Sequence, residues 1–181
     1  MYNVNMSGHS HWAGIKHKKA IEDAKKGKAF TRVARQIIMA VQKGNSGDPE
    51  MNPSLRLALD KAREVNMPNE NVKRAVDKGL GKGGEGRMVE IAYEGYGPSG
   101  VGIIVSVATD NHNRTGSEIR SIFGRYGGSI SAPGSVSYLR KIQPVPKVLL
   151  SGAEDGEVKS LLEELDSHDD VMEVWSNLES E

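Results

Sequence analysis

The chain has 181 residues, of which 27% are charged and 37% apolar, so it has room for one or two domains with modest cores. It has no cysteine, which excludes disulfides, zinc–thiolate sites and cysteine nucleophiles, and no apolar run of the ~18 residues needed for a transmembrane helix. Its 24 Lys and Arg equal its 24 Asp and Glu, but they are unevenly placed: residues 1–43 hold nine basic against two acidic residues, and residues 143–181 hold two against eleven.

Residues 1–5 read as an extension ahead of an alternative start at Met6. They lack the basic and apolar regions of a signal peptide, so the cytoplasm is the expected compartment. From residue 20 the pattern predicts a helix ending near Lys43 and Gly44, with Gly44 at the left-handed C′ position. Winding it at 100° per residue gathers Phe30, Val33, Ala34, Ile37, Ile38 and Val41 on one arc of ~140°. Lys18, Lys25, Lys28, Arg32 and Arg35 fall on a separate arc of ~100°. Pro53 opens a second helix with Leu55, Leu59 and Ala62 as its apolar stripe. A third follows Pro68, with Val72, Ala75 and Val76 inward. Residues 6–78 are therefore expected to form a basic three-helix domain.

Residues 79–87 contain too many glycines to build a core and read as a linker. Beyond them the period becomes that of strands. Strands are expected at 88–94, 101–108, 129–131, 135–141, 147–150 and 171–175. Helices are expected at 114–126, with Thr115 as N-cap and Glu118 at the capping-box spacing, and at 153–167. This order predicts an α+β fold, a three-helix domain followed by a ferredoxin-like sandwich over 88–181 with helices on one face of an antiparallel sheet.

The motifs exclude more than they offer. Gly79, Gly81 and Gly84 match G-x-G-x-x-G but follow a helix and precede a strand, the reverse of a dinucleotide site. No phosphate-binding Gly-Lys-Ser/Thr loop and no G-x-S-x-G elbow is present. His9, His11 and His17 have no cysteine or neighbouring carboxylate set to complete a metal site. Asp166, Asp169, Asp170 and Glu173 read as a solvated helix end. No catalytic residue, cofactor, metal, small-molecule substrate or membrane partner is therefore expected.

The basic segment points to nucleic acid. Clustered cations release condensed counterions from a phosphate backbone, and an indole can stack on an exposed base. Lys16, Lys18, Lys19, Lys25, Lys26, Lys28, Arg32 and Arg35 are the expected phosphate contacts, with His9, His11 and Trp12 beside them. Asn113 and Arg114, at a helix start, could add a phosphate contact or simply cap their loop. The opposite signs of the two ends raise a further expectation, that the acidic half shields the basic segment. A protein-interaction module using that acidic half is the alternative of another class.

Ser7-Gly8-His9-Ser10-His11-Trp12, followed by Ile15-Lys16-His17-Lys18-Lys19 and Asp23-Ala24-Lys25-Lys26-Gly27-Lys28, resembles the opening of the YebC/PmpR family. Asn52-Pro53, Tyr93-Glu94-Gly95-Tyr96-Gly97-Pro98, Asp110-Asn111, Asn113-Arg114-Thr115, Gly134-Ser135-Val136 and Asp169-Asp170-Val171 continue the family order. Mitochondrial relatives in that family include the translational activator of cytochrome c oxidase. The resemblance implies a non-enzymatic regulator of gene expression whose partner is DNA or structured RNA. It would act as a DNA-binding transcriptional regulator or, alternatively, as a ribosome-associated translation factor that relieves stalling. One departure from the family pattern is expected: the resemblance implies a third domain inserted after the Gly-Ser-Val segment, and this chain is expected to lack it, with the seam at residues 143–146.

Overall fold

The computed structural model describes residues 9–82, 84 and 86–180, with side chains from residue 25 to 179. Three helices come first: α1 (His9–Gly44), α2 (Pro53–Glu64) and α3 (Asn69–Gly79). Helix α1 starts well before residue 20. Residues 9–19 contain no proline, and a helix once nucleated extends at low cost per residue. At 36 residues, α1 is three times as long as the 12-residue α2. Its described core side chains begin at Phe30, and Ile37 and Val41 meet Leu55 and Ala62 of α2 and Ala75 of α3.

Asn52 fastens the α1–α2 connection. Its side-chain oxygen accepts the Leu55 N–H, capping α2, while its Nδ2 donates to Ala40 O and Ser46 O. The expected role of Gly44 is corrected: Asn45, at φ 46°, takes the left-handed conformation after α1. Gly44 is small for another reason, since a Cβ there would lie 2.3 Å from Asn52 Nδ2.

Strands β1 (Val89–Tyr96), β2 (Gly102–Thr109), β3 (Ser129–Ser131) and β5 (Val171–Ser176) form an antiparallel sheet in the order β3-β1-β2-β5. Helices α4 (His112–Arg125) and α5 (Gly152–Ser167) pack on one face, where Ile103, Val105 and Val107 meet Ile119, Phe123, Leu161 and Leu165. The architecture is α+β with an antiparallel sheet, as expected. On the opposite face Ile104 packs against Val136 and Leu139, and Ala108 joins the helical core. The ladder shifts register between Ser106 and Val107, where a bulge at Met172 brings that residue against the three helices. A two-stranded parallel pair, β4 (Val148–Leu150) with β6 (Leu178–Ser180), completes the chain. Strand β6 is too short to leave a period in the sequence.

Two further local expectations are corrected. Residues 135–141 are not a strand: Ser137–Lys141 is a 3-10 helix. Its approach wraps around the buried Glu94 carboxylate, which accepts the N–H groups of Gly134, Val136 and Ser137 at 2.7–2.9 Å. Three N–H groups converging on one carboxylate cannot also lie in a ladder. Burial alone would raise this carboxyl, but the hydrogen bonds outweigh it and hold its pKa below the ordinary value. Glu94→Gln turns an amide NH2 towards some of these donors. It should cost about 1–3 kcal/mol for each N–H left without a partner, read as a lower urea midpoint at unchanged slope.

Thr115 is not the N-cap of α4. Asn111 is, its side-chain oxygen accepting the Arg114 N–H at 3.1 Å. Thr115 lies inside the helix, fully buried, and its hydroxyl donates to Asp170 Oδ2 at 2.5 Å.

Candidate nucleic-acid interface

The cations of α1 divide along its length. Lys25 and Lys26 are exposed and pair with no described carboxylate. From Lys28 onward the basic residues turn to the body of the protein. Lys28 Nζ lies 2.5 Å from Asp166 Oδ2, and Arg32 Nη2 lies 2.5 Å from Asp166 Oδ1. The Arg32 guanidinium also donates to Asp166 O and Val171 O. Arg35 Nη2 reaches Asp170 Oδ1 at 2.6 Å, while its Nη1 donates to Ala108 O. Further along, Lys43 pairs with Glu90. The spacing explains the arrangement: residues 28, 32 and 35 recur at i+4 and i+3, so they share one face of α1. That face lies over the turn between α5 and β5.

Asp170 is the centre of this junction. Only 4% of its side chain is exposed. Arg35 holds one oxygen, and Thr115 and Arg114 hold the other. Burial pushes its carboxyl up, but the hydrogen bonds from Thr115 and Arg114 and the Arg35 charge prevail, and its pKa lies below the ordinary value. Asp166 follows the same logic with Lys28 and Arg32. It is far more open, at 45% side-chain exposure, so water and salt screen its pairs much more. The reading of Asp166 and Asp170 as a solvated helix end is therefore corrected, while Asp169 and Glu173 are exposed. Sequence reasoning missed these two partners and Thr115. The signal was there in the opposite charge of the two ends, but nothing in it says which residues meet.

The other expected contacts are placed as follows. Asn113 is exposed on the first turn of α4. Arg114 pairs with Asp170 at 3.0 Å and Asp110 at 3.4 Å. The Asn111 cap and the Tyr93 hydroxyl, which donates to His112 O, organise the same loop. The side chains of His9, His11, Trp12, Lys16, Lys18 and Lys19 lie outside the described residues, although the α1 backbone runs through all six positions.

Two arrangements resemble ligand sites. A cavity of 690 Å³ between α4 and α5 is lined by Arg35, Arg114 and Arg125, but equally by Glu118, Glu164, Asp169 and Asp170, so a polyanion meets both signs there. Among the described residues, Glu118, His168 and Asp170 bring donor atoms within 4.8 Å of one another. Their lone pairs are already engaged: His168 Nδ1 accepts the Asp170 N–H, His168 Nε2 lies 2.9 Å from Glu118 Oε2, and Asp170 Oδ2 accepts Thr115 and Arg114. A cation would have to break these contacts before binding. No helix among the described residues is long and apolar enough to cross a membrane.

Comparison with known proteins places this geometry. The family model described as the TACO1/YebC protein N-terminal domain matches residues 10–82, and that of the TACO1/YebC second and third domain matches residues 88–141. A protein of Chloroflexus aurantiacus named "Probable transcriptional regulatory protein" is 54% identical over 134 residues, which cover 74% of this chain and 53% of that protein. The chain thus spans about half the length of that relative. A Brachyspira hyodysenteriae protein with the same description is 43% identical over 180 residues, covering 97% of this chain and 73% of its own length. The crystal structure of a conserved hypothetical protein from Aquifex aeolicus superposes with a TM-score of 0.80 at 33% identity, covering 95% of this chain and 98% of that one.

Proposed function

The chain belongs to the TACO1/YebC family, and from that premise we propose that it is a non-enzymatic, cytoplasmic regulator of gene expression. It acts by holding a nucleic-acid backbone on the N-terminal half of α1. Its relatives carry the name of probable transcriptional regulatory proteins, which favours duplex DNA as the first target. The observation that carries the reading is the division of charge along α1. Lys28, Arg32, Arg35 and Lys43 are tied to carboxylates of the body, whereas Lys25 and Lys26 are exposed. Lys16, Lys18 and Lys19 stand on the same helix, close to them in sequence.

Binding of this kind is driven by counterion release, with little reading of base edges. The clasped cations have a different task, orienting α1 on the sheet so that its free end is presented at a fixed angle. The test replaces Lys16, Lys18, Lys19, Lys25 and Lys26 with Gln, which has nearly the same helix propensity. The slope of log affinity for duplex DNA against log salt should flatten by about one per contacting lysine removed, with thermal unfolding unchanged. An unaltered slope in the folded variant overturns the assignment.

A further inference from the structure

We propose that the groove between α1 and α3 binds one unpaired nucleotide, its base against the apolar floor and its phosphate at the cationic rim; this rests on the nucleic-acid reading above. The groove has a volume of 390 Å³. Ile38, Met67 and Ala75, all but buried, make a preformed floor, and Phe30 supplies a partly buried aromatic ring. Arg74 and Lys78 stand at the rim, and Arg74 is steadied by a hydrogen bond to the Asn71 side chain, a neutral partner.

Three features select the occupant. Among the described residues no carboxylate lines this groove, in contrast to the cavity between α4 and α5, so an anion approaching Arg74 meets no described carboxylate in the lining. A nucleotide is a flat, weakly polar ring carrying an anion, which matches an apolar floor beside a cationic rim. Bases stack on aromatic side chains only when they are released from pairing. The groove is also continuous with the proposed backbone site. Lys26 lies one turn before Phe30 on the same side of α1, and Gly27, one turn before Thr31, has open space where a side chain would stand. A strand held by the lysines of α1 therefore passes the open end of the groove. That path favours a nucleotide over an acidic peptide.

The test uses the full chain with four probes: a short single-stranded RNA, the DNA strand of the same sequence, an abasic DNA strand of equal length and charge, and the DNA duplex. The intact strands should bind roughly 5- to 150-fold tighter than the abasic one, the range expected for one stacked base. Preference in the RNA arm alone or the DNA arm alone identifies the source of the base. Phe30→Leu, which keeps an apolar side chain, and Arg74→Gln should each narrow the preference. Equal affinity for intact and abasic strands overturns the groove but leaves the backbone reading standing, and failure to bind any strand or the duplex overturns that reading instead. An acidic amphipathic peptide is titrated alongside. If Phe30→Leu weakens the peptide while the strands show no base preference, the groove belongs to a protein partner and the proposal fails.

Discussion

Asp170→Ala should lower the stability of the protein by about 3–5 kcal/mol, the cost of removing one member of a buried ion pair. For a chain of this size the melting temperature should fall on the order of 10 °C. The loss is large because one carboxylate serves three elements. Arg35 comes from α1, Arg114 and Thr115 from α4, and Asp170 itself from the turn before β5. Without it, the Arg35 guanidinium is left 15% exposed with no carboxylate, and the Thr115 hydroxyl loses its charged acceptor. Asp166→Asn at the open end of the same junction should cost well under 1 kcal/mol, as exposed pairs do. Equal losses in the two variants would show that burial does not set the strength of this junction.

The same junction fixes the sign of the pH dependence. Asp166, Asp170 and Glu94 all have folded carboxyl pKa values below their ordinary ones. Groups of this kind contribute stability above the unfolded carboxyl range, near pH 4, and lose it as pH falls through their folded values. Urea midpoints should therefore be level from neutral pH down to about pH 5 and fall below it. In Asp170→Asn the acid limb should be shallower.

The second large effect is that of salt. With the ~5 lysines of the N-terminal half of α1 each neutralising one phosphate, affinity for duplex DNA should drop on the order of 500-fold between 50 and 200 mM salt. Fluorescence anisotropy of a labelled duplex measures it, and salt-insensitive binding would remove the electrostatic basis of the proposed function. The structure refines how shielding by the acidic half is tested. Deleting α5 and β5 takes Val158, Leu161 and Leu165 out of the core, so such a deletion tests folding, not shielding. Asp166→Asn is the clean variant, taking the carboxylate away from Lys28 and Arg32 while leaving the backbone hydrogen bonds of Arg32 and the buried Asp170 pairs intact. Its binding should tighten, with a salt slope steeper by up to about two. Charge reversal at Lys28 or Arg32 sets a new carboxylate against Asp166 and mixes binding with stability.

Much of the architecture was legible because it rests on short-range regularities. The apolar stripe from Phe30 to Val41, the proline opening α2 and the continuous β-branched apolar run of β2 each act within a few turns or one strand. The misreadings share a cause. Thr115 looks like a cap, and residues 135–141 look like a strand, until a buried carboxylate from a distant segment claims their hydrogen bonds. Such contacts leave no periodicity.

The amino-acid sequence by itself determined that a basic helix is joined to a mixed α+β body carrying the opposite charge, because local propensity, periodicity and charge count need no partner to be read. It also carried the family likeness. Only the tertiary structure decided which cations are spent inside the molecule. Residues 28, 32 and 35 share a helical face with no hint of what lies opposite. Asp166 and Asp170 come to meet them only once α5 has packed on the sheet and β5 has paired with β2. Pairing at that distance is a property of the fold: a charge can be counted in a sequence, but its counterion is chosen by packing.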